Sequence, residues 1–189
     1  AAELIARETG HAIARERLLE IGAGLGADVP FAMTGGAAVG TGSGTELRAV
    51  PVRVRWHGVL VADTGALSTP EVFATLDRMR AEGAAPTVRE SELEVPAGLL
   101  RALAEGESAV GGEALANDLQ APALRMSPEL RRRLDELEEL DARAMVSGSG
   151  PTIVALARTS GHDDGAESSR VLAAQLRERG LCAVACTIG

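Results

Sequence analysis

The stretch "ARAMVSGSGPTIVALA", Ala142 to Ala157, decides the fold. Two short apolar runs flank a turn in which serine and glycine alternate, a pattern that predicts strand, turn, strand. Working outward, Ala166 to Arg179 places Val171, Leu172 and Leu176 on one predicted helix face, and Leu181 to Ile188 predicts a closing strand. Upstream, Arg53 to Ala62 alternates Val52, Val54 and Trp56 before the apolar Val59-Leu60-Val61, and the predicted strand ends at Asp63-Thr64-Gly65. "STPEVFATLDRMRAEG" then predicts a helix with Ser68 or Thr69 as N-cap, Pro70 in its first turn, an apolar face of Val72, Leu76 and Met79, and a stop at Gly83. After a predicted loop from Ala84 to Pro96, two or three helices cover Ala97 to Leu140, the last opened by Ser127-Pro128. The order is β-α-β-β-α-β with helices inserted after the first one, which predicts an α+β, ferredoxin-like sandwich.

The preceding residues read differently. Ala1 to Ala23 predicts an amphipathic helix broken near Thr9-Gly10, and Phe31 to Val39 and Glu46 to Val50 predict two strands around a glycine-rich hairpin turn. The boundary is expected near Arg53, giving domains at 1–52 and 53–189. The first helix starts without an N-cap residue ahead of it, so the expectation is that more sequence precedes it.

Composition narrows the function. Hydrophobic residues make up 46% and aromatics only 2%, so the core must rest on Leu, Val, Ile and Ala. The formal net charge is -8, with no cluster of cations interleaved with aromatics, which argues against a nucleic-acid groove. Arg131 to Arg133 lie beside Asp135, Glu136, Glu138 and Glu139, the pattern of a solvated helix face. No run reaches membrane-spanning length and no signal peptide is visible, so a cytoplasmic protein is expected. Cys182 and Cys186 fall on one face of a strand, too far apart for a disulfide, and are expected to be buried free thiols. His11, His57 and His162 are scattered without ligand spacing, so no metal held by thiols or imidazoles is expected.

Three glycine-bearing segments compete as sites: Gly22 to Gly26, Gly35 to Gly44, and Ser147 to Gly150. None is a Walker loop, since all 19 basic residues are arginine and the loop requires a lysine. "GTGSG" runs into a strand, not a helix, so it reads as a hairpin turn and not as a dinucleotide fingerprint. "SGSGP" reads either as a hairpin or as a concave anion site of exposed N–H groups. Asp28, in "LGADVPF", has apolar neighbours that would partly desolvate it and Pro30 two residues on, which discourages helix. A carboxylate so placed reads either as a turn residue or as a group that accepts or orients the proton of an alcohol.

In their order and spacing, "LGADVPF", "GTGSGTEL", "STPEVF", "NDL" (117–119) and "VSGSGPTIVAL" resemble the 4-diphosphocytidyl-2-C-methyl-D-erythritol kinase family of the GHMP kinase superfamily (galactokinase, homoserine kinase, mevalonate kinase and phosphomevalonate kinase). The resemblance covers nearly the whole chain. It implies a two-domain fold, with part of a ribosomal-protein-S5-like N-terminal domain followed by the ferredoxin-like one. It also implies transfer of the ATP γ-phosphoryl group, with Mg²⁺, to the 2-hydroxyl of the diphosphocytidyl substrate in non-mevalonate isoprenoid (terpenoid) synthesis. On this resemblance Asp28 is catalytic, and the backbone at Gly26 and Ala27 lies beside the diphosphate. Thr69 and Phe73 lie near the cytidine, and Ser147, Gly148, Ser149 and Gly150 support the phosphate-binding region. The family's N-terminal lysine and glycine-serine phosphate loop have no counterpart here, and Thr45 stands where an acidic residue is common, so this chain alone is expected to bind ATP poorly and turn over little. A homoserine or mevalonate type of kinase, and a non-catalytic ligand-binding module, are the competing readings.

Overall fold

The computed structural model describes residues 8, 10, 13–53, 55–62, 65–87, 95, 97–105, 116–157 and 165–188. The chain divides into two compact units, Ala1–Arg53 and Val54–Gly189. The expectations for 1–7, Thr9, His11, Val54, Asp63-Thr64, His162 and most of the loop from Ala84 to Pro96 lie outside the described residues.

In the first unit, helix α1 (Arg15–Leu25) is followed by a short helix α2 (Val29–Thr34) and by the hairpin of β1 (Ala37–Thr41) and β2 (Glu46–Val50). The register runs from Ala37 opposite Val50 to Thr41 opposite Glu46. This leaves Gly42 to Thr45 as the turn, where Gly42 and Gly44 take φ of 61° and 87°. The hairpin reading of "GTGSG" holds. The strand expected over Phe31 to Val39 does not, because its first part is helical. Pro30 occupies the first turn of α2, where a missing N–H costs nothing, so the proline read as discouraging helix instead starts one.

The second unit contains β3 (Trp56–Ala62), α3 (Thr69–Ala81), α4 (Ala97–Glu105), α5 (Gln120–Met126), α6 (Pro128–Glu139), β4 (Ala142–Val146), β5 (Ile153–Ala157), α7 (Ala166–Glu178) and β6 (Cys182–Ile188). Its sheet has the order β4-β5-β3-β6, every neighbour antiparallel. Numbered within the unit from β6 inward, that order is 4-1-3-2, the ferredoxin-like arrangement expected from the sequence.

Period-two alternation sorts the strands into two faces. Val59, Val61, Ile153, Ala155 and Ala183 are buried, and Val72, Leu130, Leu137, Leu172 and Leu176 from the helices pack into the same core. No aromatic side chain belongs to it: Phe31 and Phe73 are exposed. On the opposite face Leu60 and Val184 are exposed, each directly across from the other.

Two further expectations need correction. Val171 is exposed, and the buried face of α7 consists of Ser169, Leu172, Ala173 and Leu176, because 171 lies about 100° around the helix from 172. The cysteines are free but not buried. Cys182 is exposed and Cys186 half-exposed, since both share the outer face with Val184.

The arginine run behaves as a solvated face: Arg132 and Arg133 pair with Glu129, and Arg133 also with Glu136 at 2.8 Å. Such exposed pairs contribute little stability, about 0.3–0.5 kcal/mol each. Among the described residues no helix is long and apolar enough to cross a membrane.

Candidate active-site residues

In the first unit, α1 ends at Leu25 and the chain turns through Gly26 and Ala27 to Asp28, the N-cap residue of α2. The Gly26 N–H donates to the Gly22 carbonyl at 3.2 Å, and the Val29 N–H donates to the Gly26 carbonyl at 3.2 Å, which makes the reversal tight. Close packing holds α2 against α1. A Cβ on Gly22 would stand 3.0 Å from Met33 Sδ and 3.1 Å from Val29 Cγ1. Arg15 Nη2 also donates to the Met33 carbonyl at 3.3 Å.

Asp28 therefore sits on a braced turn, with its backbone carbonyl accepting from the Ala32 N–H at 3.0 Å. Its side chain makes no capping hydrogen bond and is exposed. The expected partial desolvation is absent: within "LGADVPF" only Pro30 is buried, with Gly26 and Val29 half-buried, while Leu25, Ala27 and Phe31 are exposed along with the carboxylate. Gly26 is half-exposed and Ala27 exposed.

In the second unit the residues of "SGSGP" form the β4–β5 turn. The Ser147 N–H donates to the Thr152 carbonyl at 2.8 Å and the Gly150 N–H to the Ser147 carbonyl at 3.0 Å. Gly148 and Gly150 take φ of 57° and 79°, a region that L side chains rarely adopt. At Gly150 glycine is required twice over, since a Cβ would also stand 3.0 Å from Val146 Cγ1.

Thr69 Oγ1 lies 2.8 Å from Ser149 Oγ, so two residues 80 positions apart are brought together. Phe73 is one helical turn further along α3, on the Thr69 side, with half of its surface exposed. Of the site residues expected from the sequence, Thr69 and Ser149 touch. Gly26, Ala27 and Asp28 form a separate cluster in the first unit.

Sequence reasoning missed the bracing of the glycine turn. Asn117 donates through Nδ2 to the carbonyls of Val146 and Gly148, both at 2.8 Å, and its Oδ1 accepts from the Leu119 N–H at 3.0 Å. Gln120 Oε1 accepts from the Val146 N–H at 2.9 Å. An Asn three residues ahead of a helix reads locally as a turn residue. Its longer-range partners leave no trace in sequence spacing.

A family model described as GHMP kinases C terminal matches residues 99–178. A 4-diphosphocytidyl-2-C-methyl-D-erythritol kinase of Thermobifida fusca is 44% identical over 170 residues, covering 89% of this chain and 51% of that protein. Residues 99–178 belong to the C-terminal family of the GHMP kinases. A relative of the same name from Leifsonia xyli is 45% identical over 163 residues, covering 83% of this chain and 53% of its own length. The chain thus spans about half the length of the curated relatives it matches.

Among solved structures, one described as 4-(cytidine 5'-diphospho)-2C-methyl-D-erythritol kinase superposes with a TM-score of 0.72 at 28% identity, covering all of this chain and 63% of that one. Homoserine kinase from Cytophaga hutchinsonii superposes with a TM-score of 0.58 at 13% identity, over 85% of this chain and 50% of its own, which shows a shared fold alone.

Proposed function

We propose that the protein transfers the γ-phosphoryl group of ATP to the 2-hydroxyl of 4-diphosphocytidyl-2-C-methyl-D-erythritol, a step of non-mevalonate isoprenoid synthesis in the cytoplasm. The observation that carries the reading is the 44–45% identity to relatives bearing that kinase name across more than four-fifths of this chain. Residues 1–52 are assigned to the domain that takes nucleotide and substrate, and 53–189 to the ferredoxin-like domain.

Asp28 is the reacting group. Its exposed carboxylate, uncapped and held on a braced turn, is free to accept a hydrogen bond from the acceptor hydroxyl and to take its proton as the phosphoryl group arrives. Gly26, half-exposed, and Ala27, exposed, flank the diphosphate. Phe73 offers an exposed ring to the cytosine, with Thr69 beside it. The turn from Ser147 to Gly150 supports the phosphates through its backbone N–H groups.

Phosphoryl transfer rests mainly on positioning and charge neutralisation, and a bound Mg²⁺ would supply part of that neutralisation. Such an ion is commonly held through one or two carboxylates together with the phosphates. Asp28 is given to the proton of the acceptor hydroxyl, so the phosphates themselves would supply most of that ion's ligands.

The test is ATP-dependent phosphorylation of the diphosphocytidyl substrate by the protein expressed from its complete reading frame, with homoserine and mevalonate as competing acceptors. Asp28→Asn is expected to lower kcat by about 10²–10⁴-fold with KM little changed, because it removes a proton acceptor and keeps the shape. A preference for homoserine or mevalonate, or a fully active variant, overturns the reading.

A further inference from the structure

Asn117 belongs to none of the roles above, yet it is the best-connected polar side chain around the glycine turn. β4 is the edge strand of the sheet, and the backbone of its last residue, Val146, would meet solvent on its outer side. The segment from Asn117 to Gln120 covers that edge. Gln120 Oε1 accepts from the Val146 N–H, and Asn117 Nδ2 donates to the Val146 carbonyl and, two residues further on, to the Gly148 carbonyl. With its Oδ1 on the Leu119 N–H, both donors and the acceptor of the Asn117 amide are engaged.

This pattern fixes the direction of the turn's dipoles. The carbonyls of Val146 and Gly148 point to Asn117, and the Ser147 carbonyl accepts from the Gly150 N–H. Among the described residues no acceptor is bonded to the N–H of Gly148 or of Ser149. Carbonyls drawn to one side leave consecutive N–H groups on the other, the arrangement that binds an anion.

We infer that Asn117 is a positioning residue: it orients the Ser147–Gly150 turn so that the N–H groups of Gly148 and Ser149 present a preformed site to a phosphoanhydride oxygen. The inference rests on the kinase reading for the identity of that phosphate, which belongs either to ATP or to the diphosphocytidyl acceptor. It needs no contact between Asn117 and substrate.

Two substitutions separate positioning from simple support. Asn117→Asp keeps the side chain's shape and the bond from Leu119 but sets a carboxylate against two carbonyls, while Asn117→Ala removes the donors without adding charge. Inorganic pyrophosphate is titrated into the isotope-labelled chain and the amide resonances are followed. In the wild type, shifts concentrated at Gly148 and Ser149 are expected. Asn117→Asp should weaken the affinity by about tenfold or more and Asn117→Ala by less, with the amides of Val59 and Ala155 unmoved as a check on the sheet.

In kinetics on the protein from its complete reading frame, the variants should raise KM for one substrate alone and change kcat little. A rise in KM for ATP assigns the turn to the nucleotide, and a rise for the acceptor assigns it to the diphosphocytidyl group. Unchanged pyrophosphate affinity in both variants, or in Asn117→Ala alone should the Asp variant not fold, overturns the inference, as does a wild-type titration that leaves Gly148 and Ser149 unmoved. A wild type whose pyrophosphate affinity depends on Asn117 but which transfers no phosphoryl group overturns the kinase reading and not the role of Asn117.

Discussion

Gly22 and Gly24 lie two residues apart on the same helix and should respond oppositely to alanine. Both would gain helix propensity, worth up to about 1 kcal/mol in a helix interior. Gly24 has open space around its Cβ position, so Gly24→Ala is expected to stabilise the chain by about that amount. At Gly22 the new methyl meets Met33 Sδ and the stiff, branched Val29, and overpacking of this kind costs about 1–3 kcal/mol. Gly22→Ala should therefore be neutral to destabilising by about 2 kcal/mol and should displace α2, which carries Asp28 at its cap. Urea midpoints for the two variants check this, and equal stabilisation by both would show that α1 and α2 do not pack closely at Gly22. In the sequence nothing marks which of these glycines is packed, since both fall in the glycine-rich stretch from Gly22 to Gly26. Asp28 was legible as a singular carboxylate beside a turn, but its exposure was not, because which side of "LGADVPF" faces α1 depends on a helix start that Pro30 was read as discouraging.

Elements with strong local signals were legible almost to the residue. Ser127-Pro128 was read as a helix opening, and the structure gives Ser127 as N-cap, its Oγ accepting from the Leu130 N–H at 3.2 Å, with Pro128 in the first turn. That cap holds the start of a helix whose Leu130 and Leu137 are fully buried. Ser127→Ala is expected to destabilise the protein by about 1 kcal/mol, and Ser127→Asn to recover most of the loss, since an amide oxygen caps as well as a hydroxyl. Thermal unfolding of the three proteins measures it; an alanine variant as stable as wild type would mean the Leu130 N–H finds water at no cost. The strand from Arg53 was legible too, and among the described residues its first ladder pair is Trp56 with Ile188. Short elements were the ones misread. A six-residue helix carries less than two turns of periodicity, too little to outweigh a β-like run of Val, Phe and Ala.

At the scale of the whole molecule the two units differ in how much they bury. Among the described residues of the first unit only Gly22 and Pro30 are buried, and its sheet has two strands. A lone hairpin is marginal in water, where a sheet of three or more strands covered by helices is not. The second unit buries Val59, Val72, Leu130, Leu137, Ile153 and Leu176 to 1% exposure or less, each contributing about 1.5–3 kcal/mol relative to exposure. Local opening free energies should follow that contrast. In native-state hydrogen exchange the amides of β3 and β5 are expected to exchange more slowly than those of β1 and β2, by about two orders of magnitude, corresponding to roughly 3 kcal/mol of difference in opening. Exchange of both groups at one rate, with one denaturant dependence, would show that the units open together as a single cooperative body. The expected separation has a functional consequence under the kinase reading. The turn bearing Asp28 would be held by the weaker unit and the Asn117-braced glycine turn by the stronger one, so substrate binding should raise protection chiefly at α1, α2 and the β1–β2 hairpin.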